Sequence, residues 1–175
     1  MVFPWKNIGR WRCLLRLLFS PGRECWEIFL TIDNLRKRGF ILLVWCCMCK
    51  KSGESVDHLL LHCSLACDLW SMVFGLYGVQ WILLRRVLDL LTGWLGNLSR
   101  HRSFVVWRAV PHCVMWCLWR EQNAPHFEDC EKTIPVLKLL FFQNLYDWVV
   151  GLGLFSLHYL EELIDLCTLL ILFGP

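Results

Sequence analysis

A small, mostly α-helical domain, clipped at one loop by a metal ion, is what this sequence predicts. Three observations carry the prediction. Apolar residues recur at helical spacing in several separate segments. Hydrophobic residues make up 57% of the 175-residue chain, with 11 Trp and 11 Phe, which is ample material for one core. A short window holds Cys46, Cys49, His58 and Cys63, a C-x2-C-x8-H-x4-C pattern that suits four ligands around one tetrahedral zinc ion, a CCHC-type clip.

Taken in order, residues 1–30 read as an irregular arm broken at Pro21-Gly22. Thr31 can cap a short helix that runs to Arg38 and stops at Gly39. Phe40 to Trp45 is an apolar run suited to a short strand or a buried connection, and the metal loop follows it. Ser64 begins a helix with Leu65, Leu69, Met72 and Val73 on one face, ending near Gly75 or Gly78. Leu83 to Leu91 forms the next, with Val87, Leu90 and Leu91 inward and Arg85, Arg86 and Asp89 outward, and Gly93 to Arg102 reads as a loop. Ser103 caps a long helix through Phe104, Trp107, Val110, Val114, Met115, Leu118 and Trp119, which Pro111 should kink or divide. Thr133 caps another, with Pro135 in its first turn and Leu137, Leu140, Phe141, Leu145 and Trp148 on one face. Glu161, Glu162 and Asp165 fall early in a last helix with Leu160, Leu163, Ile164 and Cys167, where acidic groups suit the helix N-terminus. Residues 151–175 are an apolar helical tail.

The metal window rewards closer reading. Cys46 and Cys49 can converge on one ion across a tight turn, with Lys50, Lys51, Ser52 and Gly53 as a polar loop beyond. Ser55 or Asp57 can cap a helix starting near His58. Four residues separate His58 from Cys63, so the two do not share a face of an ideal helix, and either the turn around Leu61 or His62 loosens or the helix begins after the metal site. His62 is a rival fourth ligand, because His58 and His62 share a face at i, i+4. The gap of eight residues before His58 is short of the twelve or so usual before such a histidine pair, and thiolate is the softer ligand, so Cys63 is favoured with His62 left as a supporting donor. Cys47 in place of Cys46 leaves a strained bite with Cys49, and Cys67 suits packing on the next helix. Free cysteines are often simply buried, and the chain has 11 of them. The two lysines and two histidines in the same window favour a metal site.

These residues resemble a known family. Thr31 to Gly39, Cys46 to Cys49, Glu54 to Cys63, Ala66 and Trp70 are similar to the reverse transcriptase zinc-binding domain of plant LINE-type (non-LTR) retrotransposons and stand-alone derivatives. Val106-Trp107, Met115 to Glu121, Asn123 and Phe127 to Asp129 resemble that family's tryptophan-rich segment, and Phe3 to Lys6 its upstream entry. On this resemblance the family-like domain spans residues 31–150. Gln122 stands where the family usually has Arg, and Pro125 near another usual Arg, so positive charge that could meet phosphate is gone. Between Gly9 and Phe29 the resemblance lapses, as in a frameshift relic or altered exon. The resemblance implies a structural zinc ion and RNA or DNA as a partner.

Composition excludes several classes. Net charge is +3, and Arg36-Lys37-Arg38, Lys50-Lys51, Arg85-Arg86 and Arg100-His101-Arg102 are separate short clusters, each readable as a solvated face. Apolar runs fall short of the ~20 residues of a membrane span, although Trp11 to Phe19 suits a weak surface helix. The odd cysteine count favours a reducing compartment, nucleus or cytoplasm, over a disulfide framework. No Asp-Asp pair for two catalytic metals occurs, Glu161-Glu162 falls on an expected helix where adjacent residues point apart, and there is no phosphate-cradling loop or nucleophile elbow, so no enzyme is expected. The expected function is therefore a non-catalytic zinc-binding domain derived from a retrotransposon reverse transcriptase, binding RNA or DNA. The alternatives are a protein-interaction module acting through apolar surface and a translated retroelement relic with no selected function.

Overall fold

The computed structural model describes residues 45–46, 48–78, 84–95, 104–123, 133–151, 162–163 and 165. These residues are mostly helical. After the metal loop comes a π-helical turn, His58–His62, followed by α1 (Ser64–Leu76), α2 (Val87–Leu95), α3 (Phe104–Asn123) and α4 (Ile134–Gly151). The only extended pairing among the described residues is an isolated antiparallel bridge between Trp45 and Gly53. The arm at 1–30, the Thr31 helix and the Phe40 to Val44 run lie outside the described residues, as do Cys47, Leu160, Glu161, Ile164 and Cys167.

α3 and α4 pack along each other, and α1 lies against both and against the π-helical turn. The core between them holds Leu59, Leu60, Leu61, Leu69, Val73, Val110, Val114, Met115, Leu118, Leu137, Phe141 and Leu145. The buried face of α1 is Ala66, Leu69, Trp70, Val73 and Phe74, so it is rotated from the expected stripe, and Leu65 and Met72 are only partly buried. The rotation brings Trp70 inward, where its indole N–H donates to the Leu60 carbonyl at 2.8 Å. The helix ends at Leu76 with Tyr77 as its cap, and Gly78 just beyond takes a φ of 61°, in the left-handed region that glycine adopts without strain.

Three expectations are corrected. α2 does not run from Leu83 but starts at Val87, with Leu84, Arg85 and Arg86 outside the helix. Gly93 does not open a loop, because α2 continues to Leu95 and buries Trp94. α3 is not divided at Pro111 but runs on to Asn123. A proline at position 111 has no N–H to offer the carbonyl four residues back, which is that of Trp107. That carbonyl instead accepts the indole N–H of Trp94 at 2.9 Å, while the Trp107 indole donates to the Trp94 carbonyl at 3.1 Å. The two rings stack with centroids 4.1 Å apart. One reciprocal pair thus satisfies a carbonyl orphaned by proline and another near the C-terminal end of α2. The pull of this pair, joined by Trp70, Phe74 and Tyr77 around it, accounts for the run of α2 past Gly93.

Candidate metal centre

The loop that carries the first two cysteines is a tight hairpin. The Cys46 N–H donates to the Ser52 carbonyl at 2.8 Å, and the Lys50 N–H returns to the Cys46 carbonyl at 2.9 Å. Lys50 takes a φ of 56°, the left-handed turn that lets the chain reverse so soon after Cys49. Cys46 is buried and Cys49 half-buried, both facing the π-helical turn.

Ser55 begins that turn: its hydroxyl accepts the His58 N–H at 3.1 Å, as an N-cap does. Asp57 has a different task. Its carboxylate accepts the Val87 N–H at 2.9 Å and so caps α2, thirty residues away. From His58 the backbone widens, and the Cys63 N–H closes on the His58 carbonyl, an i+5 bond at 2.6 Å. In a regular α-helix residues five apart lie about 140° round the axis. The wider turn brings Cys63 back beside His58, which is the loosening the spacing allows.

The result is a convergence of Cys46, Cys49, His58 and Cys63, with one ligand atom from each and all four within 4.8 Å of one another. Cys46 Sγ and Cys63 Sγ are 4.0 Å apart, and Cys49 Sγ and His58 Nε2 are 3.3 Å apart. A tetrahedral zinc ion with sulfur at ~2.3 Å and nitrogen at ~2.0 Å has ligand–ligand edges of about 3.5–3.8 Å. The separations of these two pairs bracket those edges, and the three-thiol, one-imidazole donor set is one that zinc takes in structural sites. The cluster suits zinc.

Protonation follows from the same geometry. The Cys46 thiol points at the Cys63 sulfur, which pushes the Cys46 thiol up and holds Cys63 below the usual thiol range. The pair therefore favours a single proton, held on Cys46. Burial, with the His62 charge nearby, lowers His58, and the neutral imidazole is the form that binds metal.

His62 turns away from the cluster. Its Nε2 lies 3.2 Å from the Arg85 carbonyl, and the group of converging donors does not include it. Cys67 is half-buried on α1, where its thiol donates to the Leu61 carbonyl at 3.3 Å. The described cysteines are all free thiols. Position 122 also faces inward: the Gln122 amide donates to the Glu54 carboxylate at 2.8 Å with both side chains buried. It ties the end of α3 to the metal loop, and an arginine there would meet Glu54 rather than phosphate. That link, and the cap from Asp57, were not visible in the sequence, because both join residues 30 or more apart.

No helix among the described residues is long and apolar enough to cross a membrane. No curated protein and no solved structure matches the chain. Residues 2–70 match the family model described as zinc-binding in reverse transcriptase. The matched stretch runs through Gly9 to Phe29, holds all four converging residues and ends at Trp70, ahead of the tryptophan-rich segment. Over those residues the chain is similar to the zinc-binding domain of reverse transcriptases.

Proposed function

We propose that this chain is a non-catalytic zinc-binding domain derived from a retrotransposon reverse transcriptase of the plant LINE type, and that it binds RNA or DNA. Cys46, Cys49, His58 and Cys63 hold the zinc. The observation that carries the reading is the convergence of these four donors inside the stretch similar to reverse transcriptase zinc-binding domains. Four protein ligands close the coordination sphere and leave no position for substrate or water, so the metal is structural. Its binding is then folding free energy, on the order of 10–16 kcal/mol apparent near neutral pH.

Each residue has a defined part in the clip. Cys46 and Cys49 hold the hairpin, and His58 and Cys63 hold the π-helical turn, so the ion joins the loop to the helical core through Leu59, Leu60 and Leu61. The nucleic-acid part of the proposal rests on basic groups near this corner, and its test is a gel shift with structured RNA across a salt series. Binding that weakens steeply as salt rises is expected. An absence of any shift at low salt, with zinc bound, contradicts it.

A further inference from the structure

Trp45 stands at the base of the metal hairpin with 61% of its surface exposed, more than the other large apolar side chains found exposed among the described residues. Its backbone is held by the bridge to Gly53, and Gly53 has no side chain to cover the ring. Beyond Trp45, the tip of the same hairpin carries Lys50 and Lys51, both exposed. A second basic pair is brought to the other side of the metal-bearing turn. The Arg85 carbonyl lies 3.2 Å from His62 Nε2, and Asp57 caps Val87, so Arg85 and Arg86, both exposed, flank the turn that carries His58. In the sequence these were two unrelated short clusters. The fold ties both pairs to the short stretch around the converging donors, the lysines on the hairpin and the arginines through the contacts of His62 and Asp57, and the hairpin also carries the exposed indole.

A flat aromatic face beside several cations fits one ligand chemistry well: an unstacked base with its neighbouring phosphates. A duplex keeps its bases stacked and offers nothing to an indole. We infer that Trp45, Lys50, Lys51, Arg85 and Arg86 form a binding surface for single-stranded nucleic acid, with Trp45 stacking on a base and the basic pairs contacting phosphates. This rests on the nucleic-acid reading above and adds to it the strandedness of the ligand and the residues that meet it. Stacking makes no use of a 2′-hydroxyl, so oligo(U) and oligo(dT) bind alike.

The test is fluorescence anisotropy of labelled oligo(U), oligo(dT) and a duplex of mixed sequence, with the zinc-loaded full chain and its variants. Trp45 is exposed, so Trp45→Ala should leave the fold and the zinc content unchanged. Trp45→Ala is expected to weaken single-strand binding about 5- to 150-fold without changing the salt slope. Trp45→Phe keeps a ring and recovers part of the loss. Lys50→Ala with Lys51→Ala lowers the salt slope by about 1.4. If the wild type binds single strands and Trp45→Ala binds equally well, the surface is wrong and the broader reading survives. Tighter binding to duplex than to single strands also overturns the inference. If the zinc-loaded chain binds no oligonucleotide at low salt, the nucleic-acid reading falls and the inference with it. A dimer that depends on Trp45, seen by sedimentation in place of oligonucleotide binding, assigns the surface to a second copy and overturns the inference as well.

Discussion

His62 and Cys63 are adjacent in sequence and have opposite surroundings. The Cys63 sulfur faces Cys46 in the buried cluster, whereas the His62 ring reaches the Arg85 carbonyl at the surface. His62→Ala is therefore expected to keep its zinc and to lose about 1 kcal/mol of stability or less, the scale of one exposed neutral hydrogen bond. Zinc content measured after dialysis checks this, and loss of zinc in that variant would make His62 a ligand. A second histidine gives the fold a pH dependence. His112 is buried in α3 with Nδ1 2.9 Å from the Arg108 carbonyl, and burial lowers its pKa below the usual 6.5. As pH falls below about 6.5 the unfolded chain takes up this proton before the folded one does, so stability declines until the folded pKa is reached. His112→Gln removes that part of the decline. Unfolding free energies measured across pH 5–7 in both proteins check it, and identical slopes would contradict it. The convergence of Cys46, Cys49, His58 and Cys63 was legible at this scale because thiol and imidazole spacing is a local property. The inward turn of Gln122 was not, since its partner Glu54 lies 68 residues away.

At the scale of elements, α3 survives an internal proline because another element supplies the missing partner. Trp94 of α2 donates to the Trp107 carbonyl that Pro111 cannot serve. Trp94→Phe leaves that carbonyl unpaired in the core and is expected to cost about 1–3 kcal/mol beyond lost packing. In a Pro111→Ala background the Ala N–H can pair with the same carbonyl, and the cost should shrink by about 1 kcal/mol. A double-mutant cycle by urea unfolding measures the coupling, and strict additivity would refute the compensation. Helical periodicity made α1, α3 and α4 legible in the sequence. The end of α2 was misplaced because Gly93 reads as a breaker, while the stacking of Trp94 on Trp107, which holds the helix past it, is a tertiary contact. The spacing of His58 and Cys63, five residues apart, allowed either a widened turn or a helix that begins after them, and the structure has the widened turn. The rotation of α1 was not foreseeable, since Trp70 and Phe74 could equally have faced solvent until Leu60 and Trp94 were placed against them.

The whole molecule joins a loop-rich corner to a helical core at a few points. Trp70 holds α1 to the Leu60 carbonyl, Gln122 holds α3 to Glu54, and Asp57 holds α2 to the metal turn. Among the described residues, the hairpin from Trp45 to Gly53 meets the helical core through the buried Cys46 and through the contacts of Cys46 with Cys63 and of Cys49 with His58, which are the same groups that an ion would join. Zinc binding and the order of this corner should therefore be one event. Whether one zinc ion sits among Cys46, Cys49, His58 and Cys63 can be read from zinc K-edge X-ray absorption on the purified chain. One zinc per chain, with three sulfurs at ~2.3 Å and one nitrogen at ~2.0 Å, is the expected result. A shell of two sulfurs and two nitrogens, or a folded chain that binds no zinc, would contradict it.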